Sequence, residues 1–243
     1  MLVIAHKSTV VPDGADGIEF DVIKTADGDL AVSHDEAIKG GGYIHQKTME
    51  ELRRLGFVSL RDVFNAAAAR AGEPPLLNIE IKGQDCWETA WRQARAFCSE
   101  TGYPYDRIVF SSFDHAQLLE LRQADPDAKI GLIFGSTFGR WALPLKLHPA
   151  TGGVERRKSL TVDYLDSVLH TIKPTSLHPT TWNFDRAAAY AQKHGLDLFV
   201  WASHEKAPEK DARIGDLVHI HRDNPHINII TDHAPEMRRI FHP

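Results

Sequence analysis

Eight short, mostly apolar runs recur along the chain, at residues 2–6, 18–22, 76–82, 108–112, 129–134, 175–178, 198–202 and 227–231. Most are continuous rather than alternating. Strands read this way when both faces are covered, as in a parallel sheet. Segments with helical spacing lie between them. Thr48, with Glu51 three residues on, marks a capped helix over 49–55. Ser59 caps a second helix over 60–71, ended by Gly72 and Pro74. Trp87, Ala90, Trp91, Ala94, Phe97 and Cys98 line one face of a third. Further helices are expected over about 115–123, 162–169 and 184–194, and from about 235. Eight such units in 243 residues predict an α/β fold: a (β/α)₈ TIM barrel, one domain over 1–243. The alternative is an open doubly wound sheet. No glycine-rich phosphate loop follows the first strand, which weakens its dinucleotide-binding version. Two irregularities stand out. Residues 7–16, with Pro12 and Gly14, are too few for a crossover helix, so the first crossover is shortened. Residues 36–72, opening on Gly40, Gly41 and Gly42, read as a small insertion after the second strand.

The net charge of −5 argues against a non-specific nucleic-acid binder, so any anion needs a local basic site or a metal. Cys86 and Cys98 stand twelve residues apart on one expected helix, about 18 Å by helical rise and too far to bridge. That fits a reducing, cytoplasmic setting. The first residues carry no basic leader and no long apolar stretch, so neither a signal peptide nor a membrane span is expected.

In a barrel of this kind chemistry sits where the strands end. The polar residues at those ends are His6, Glu19, Asp21, Glu80, Lys82, Ser112, His178 and Asp232. Glu19 and Asp21 share one strand face, with Phe20 on the other. Glu80 and Lys82 repeat that spacing. Converging carboxylates repel unless a cation offsets them. Oxygen-only ligands favour Mg²⁺ or Ca²⁺ over zinc. The other reading pairs these acids with Lys7, Lys24 and Lys82 in rim salt bridges. His6 and His34 are the acid–base candidates. His178 ends a strand and has either a rim role or a packing role. His115, His170, His194 and His242 are expected at the surface.

These residues resemble the glycerophosphodiester phosphodiesterase family. The likeness rests on His6-Lys7, Glu19-x-Asp21, Thr25-x-Asp27-Gly28, His34-Asp35, Glu51-Leu52, Ser59-Leu60 and Ile79-Glu80-Ile81-Lys82. Ser111-Ser112-Phe113, Val200-Trp201 and Thr231-Asp232 extend it over nearly the whole chain. The resemblance implies a barrel that hydrolyses glycerophosphodiesters, small molecules, to glycerol 3-phosphate and an alcohol. It implies one divalent cation, Mg²⁺ or Ca²⁺, on Glu19, Asp21 and Glu80, with His6 and His34 as the catalytic pair. It places Lys82 near the phosphate and Trp201 in the pocket.

Two departures matter. Lys7 stands where the family usually has arginine, so a phosphate binder is kept but the bidentate fork is lost. Residues 8–16 replace the family's usual Pro-Glu-Asn-Thr stretch and helix. Either Asp13 or Asp16 substitutes for that acid, or the site is more open. Alternative substrates are therefore a lysophospholipid, a sphingomyelin-like lipid or a sugar phosphodiester, motivated also by the apolar, basic residues 138–158. An alternative of another kind is a catalytically weak barrel that binds a phosphorylated ligand.

Overall fold

A computed structural model of the protein describes residues 1–134, 162–201, 224 and 226–241. The strands are β1 (Val3–Ala5), β2 (Gly17–Lys24), β3 (Leu30–Val32), β4 (Leu76–Ile81), β5 (Ile108–Ser112), β6 (Lys129–Phe134), β7 (Ser176–Pro179), β8 (Asp197–Trp201) and β9 (Ile227–Thr231). Eight of them run parallel in the order β1-β2-β4-β5-β6-β7-β8-β9, and β9 pairs again with β1. The sheet therefore closes, which leaves no edge among the eight and excludes the open alternative. β3 is the exception. It folds back antiparallel on β2, with Val32 opposite Val22.

The helices are α1 (Met49–Arg54), α2 (Leu60–Ala68), α3 (Trp87–Thr101), α4 (His115–Ala124), α5 (Val162–Thr171), α6 (Phe184–His194) and α7 (Ala234–Phe241). Thr48 and Ser59 form the capping boxes of α1 and α2. Gly195 closes α6 in a left-handed turn. Outward strand residues such as Phe20, Val22, Ile79, Ile81, Phe110 and Leu132 pack against the helices in the main core. Phe64 of α2 stacks on Phe97 of α3, with ring centroids 4.5 Å apart. Thus α2 belongs to the outer ring. Ile38, Ile44, Met49 and Leu52 instead form a small separate core with Ile23 and Ala31. No helix among the described residues is long and apolar enough to cross a membrane.

No helix joins β1 to β2. The connection instead lies on the last helix. Gly14 adopts φ +81°, and a Cβ there would press on the Pro235 backbone. Arg238 of α7 donates to the Gly14 carbonyl (3.0 Å) and to the Asp16 carboxylate. Asp16 Oδ2 also accepts from the Val3 amide at 2.8 Å. Asp16 is thus held where β1 and β2 begin, so it does not stand in for the missing acid at their far ends. Asp13 is exposed. Residues 138–158, the basis for a lipid substrate, lie outside the described residues.

Candidate active site

Strand alternation puts Glu19 and Asp21 of β2, and Glu80 of β4, on the inside of the barrel. Asp21 and Glu80 are register partners. One carboxylate oxygen from each of the three acids lies within 4.8 Å of the others. Glu19 and Asp21 are each only 3% exposed. The rim-salt-bridge reading is met in part. Lys82 Nζ lies 2.6 Å from Asp21 Oδ1 and 3.7 Å from Glu80 Oε1. Lys24 instead reaches the Asp85 carbonyl. Lys7 offers Glu19 its backbone amide, N–H to Oε2 at 3.1 Å. Among the described residues, then, one ammonium, that of Lys82, pairs with two carboxylates of the cluster of three, Asp21 and Glu80.

That imbalance appears as a titration shift. Burial, and then the charge of Asp21, push the Glu19 carboxyl up to about 7. Burial alone would lower the Lys82 ammonium, but the carboxylates of Glu80 and Asp21 outweigh it and hold the amine protonated. All donors are oxygens, and negative charge is in excess. Both facts fit a hard divalent cation and disfavour zinc.

Lys7 has φ +49°, a left-handed conformation rare for a residue with a side chain. The turn aims the Lys7 amide at the Glu19 side chain and lets the Ser8 amide donate to the Glu19 carbonyl at 3.0 Å. The Lys7 ammonium is exposed, and its charge lowers the proton affinity of both His6 and His34.

His6 follows β1. Its Nδ1 donates to Asp232 Oδ1 (2.8 Å), and its Nε2 lies 3.8 Å from Glu19 Oε2. Burial pulls its pKa down, yet the Asp232 hydrogen bond and the Glu19 charge outweigh it, and the net direction is up. His34 follows β3. Its Nδ1 donates to Asp35 Oδ1 (2.8 Å), and its carbonyl accepts from Lys82 Nζ (3.2 Å). Here burial and the Lys82 charge prevail, and the pKa falls. The hairpin return of β3 is what brings His34 to Lys82. Each imidazole keeps Nε2 away from its carboxylate partner. Sequence reasoning assigned neither partner a role. Asp232 stood among the strand-end acids, but its bond to His6 joins residues 226 positions apart.

Trp201 is half-buried at the end of β8. Its indole N–H donates to the His178 carbonyl (3.0 Å), and its ring meets Phe113 edge-on. His178 is 1% exposed, with Nε2 2.9 Å from Ser176 Oγ and its ring against Phe199. Burial drops its pKa to about 3, so the imidazole is neutral. Gly131 makes room for it, since a Cβ there would overlap the ring. One surface expectation fails. His115 is buried, bonded through Nδ1 to the Tyr164 hydroxyl and through Nε2 to the Ile133 carbonyl. Both partners are distant in sequence and gave no local signal.

Residues 4–235 match the glycerophosphoryl diester phosphodiesterase family. A glycerophosphodiester phosphodiesterase of Caldanaerobacter subterraneus subsp. tengcongensis is 27% identical over 239 residues, covering 84% of this chain and 86% of that one. Another, from Bacillus altitudinis, is 30% identical over 161 residues, covering 57% and 63%. The crystal structure of a glycerophosphodiester phosphodiesterase from Thermotoga maritima superposes with a TM-score of 0.67 at 20% identity, covering 99% of this chain and 98% of that one. A phosphodiesterase of Oleispira antarctica, solved with the product sn-glycerol-3-phosphate, superposes with a TM-score of 0.70 at 15% identity, covering 100% and 97%. The two superpositions speak for the fold, and the family match covers nearly the whole sequence. The chain belongs to the glycerophosphoryl diester phosphodiesterase family and is an enzyme of that class.

Proposed function

We propose that the chain hydrolyses glycerophosphodiesters to glycerol 3-phosphate and an alcohol, with Mg²⁺ or Ca²⁺ held by Glu19, Asp21 and Glu80. The observation that carries this reading is the excess of buried carboxylate over ammonium, three acids against Lys82. Such a cation, when bound, offsets charge on a non-bridging phosphate oxygen. Lys82, with its Nζ between Asp21, Glu80 and the His34 carbonyl, holds positive charge beside the same oxygens. Lys7 adds a second ammonium over the mouth. The Nε2 atoms of His6 and His34, on the ring sides away from Asp232 and Asp35, are the groups that move protons. One takes the proton of the nucleophile, and the other gives one to the leaving oxygen. With a glycerol headgroup the nucleophile is the neighbouring hydroxyl. The resulting cyclic phosphate is then opened by water. Trp201 and Phe113 form the apolar part of the pocket wall. A cytoplasmic setting fits the two free thiols, Cys86 and Cys98.

The test is product release across glycerophosphocholine, glycerophosphoinositol, a lysophospholipid and a sugar phosphodiester, in Mg²⁺, in Ca²⁺ and after chelation. Glycerol 3-phosphate is expected from the first two, with loss on chelation. Its absence with every glycerophosphodiester and metal overturns the reading. Undiminished release after chelation overturns the metal part alone.

A further inference from the structure

Beside the three acids the barrel interior is polar where an apolar filling is the rule for this fold. Asn78, Ser111, His178 and Thr180 are each no more than 1% exposed. Both amide atoms of Asn78, the hydroxyls of Ser111 and Thr180, and His178 Nδ1 have no hydrogen-bond partner among the described residues. Each such atom costs about 1–3 kcal/mol if left bare, and native interiors satisfy nearly all of them. Leu76, Val109 and Phe199 line the inside of the barrel lower down. Asn78 and Ser111 stand two residues above Leu76 and Val109, so they face inward too.

Register ties these groups to the acids. Asn78 is the strand neighbour of Glu19, and Ser111 is the strand neighbour of Glu80. Ser111 also neighbours Gly131, the notch in which the His178 ring lies. Buried polar groups thus stand on β4, β5 and β7 beside the acids, with Thr180, just past β7, paired to Trp201. Interior sites of this kind hold ordered waters, typically with two to four polar partners each.

We propose that Asn78, Ser111, His178 and Thr180 hold a cluster of buried waters, and that through it Asn78 and Ser111 are positioning residues for Glu19 and Glu80 as cation ligands. The inference rests on the cation reading above. Groups behind metal ligands fix ligand orientation, and losing one typically weakens metal affinity roughly 10–100-fold. The experiment is calorimetric titration of the full chain with Mn²⁺, alongside thermal unfolding. Asn78→Leu and Ser111→Ala are each expected to weaken Mn²⁺ binding by about 10-fold or more with the unfolding midpoint retained. Ser111→Thr, which keeps the hydroxyl, is expected to bind as wild type. A crystal structure with Mn²⁺ is expected to show ordered waters on Asn78 and Ser111. Unchanged affinity in both weakened variants, a dry interior at Asn78 and Ser111, or a wild-type chain that takes no Mn²⁺ overturns the inference. Binding is read separately from hydrolysis. A chain that cleaves no glycerophosphodiester yet loses Mn²⁺ affinity on Asn78→Leu refutes the proposed function and leaves the positioning role standing.

Discussion

The outward side chains of β2 and β4 include Ile18, Phe20, Val22, Leu77, Ile79 and Ile81, all buried against the helices. The inward side chains of the same strands include Glu19, Asp21, Asn78 and Glu80. One backbone therefore carries two faces of opposite chemistry, offset by a single residue. The outward face removes apolar area from water and stabilises the fold. The inward face gathers charge that the fold alone leaves partly uncompensated, as the raised Glu19 pKa shows. The same strands thus pair a stabilising surface with a destabilising one, and the second is where the proposed chemistry lies. Real proteins depart from the folding rules at such places.

Substitutions on the two faces should separate cleanly. The largest effect is expected on the inward face. Glu80→Gln, or Glu19→Gln, should depress glycerol 3-phosphate release by roughly 10²–10⁴-fold, read by a coupled product assay. The unfolding midpoint of the chelated protein should hold or rise for Glu19→Gln. The sign follows from its folded pKa of about 7 against an ordinary value of 4.5. A raised carboxyl favours folding fully below the unfolded value and loses that contribution as pH rises through the folded one. At pH 8 the ionised Glu19 is therefore a burden that glutamine removes. A large drop in midpoint would break the contrast between the faces.

Phe20→Ala is the outward counterpart. About 3–5 kcal/mol of stability should be lost in urea unfolding, with activity per folded molecule unchanged. Loss of activity at full stability would mean that the faces are not separate. A smaller effect is expected from pH. His178 titrates near 3 when folded against 6.5 ordinarily. Its contribution is present above 6.5 and lost as pH falls toward 3, because the unfolded chain takes a proton that the folded chain refuses. Urea unfolding free energies at pH 7 and pH 5 should differ by about 2 kcal/mol more in wild type than in His178→Gln. Smallest of all, Asp35→Asn should cost only a few-fold in activity, since Asp35 is 80% exposed and such pairs are weak. Asp232→Asn should cost more, because its partner His6 is the more enclosed of the two histidines and gains most from the bond.

Local chemistry was readable wherever partners lie close in sequence. The Thr48–Glu51 and Ser59–Asp62 capping boxes need only a four-residue window, and both form. Gly195 ends α6 because a left-handed turn suits a residue without a side chain. Glu19 and Asp21 fall on one face because the strand period is two. His115 was misread for the converse reason. It follows the cap Asp114 at a helix start, a place that reads as exposed, yet Tyr164 of α5 and Ile133 of β6 enclose it. The expectation that Asp16 could substitute for the missing acid failed likewise, through Val3 and Arg238.

By itself, then, the sequence determined the eight parallel strands, the helices between them among the described residues, and which residues carry charge at the strand ends. Period, capping and glycine turns act over a few residues and are written where they act. Only the tertiary structure decided that β9 returns to β1 and closes the ring, that Asp232 meets His6 across 226 positions, and that Lys82 is shared between Asp21 and Glu80. It also decided that polar atoms of Asn78, Ser111, His178 and Thr180 are buried with no hydrogen-bond partner among the described residues. Those facts depend on which strands become neighbours, and ring closure sets that through contacts no short stretch of chain contains.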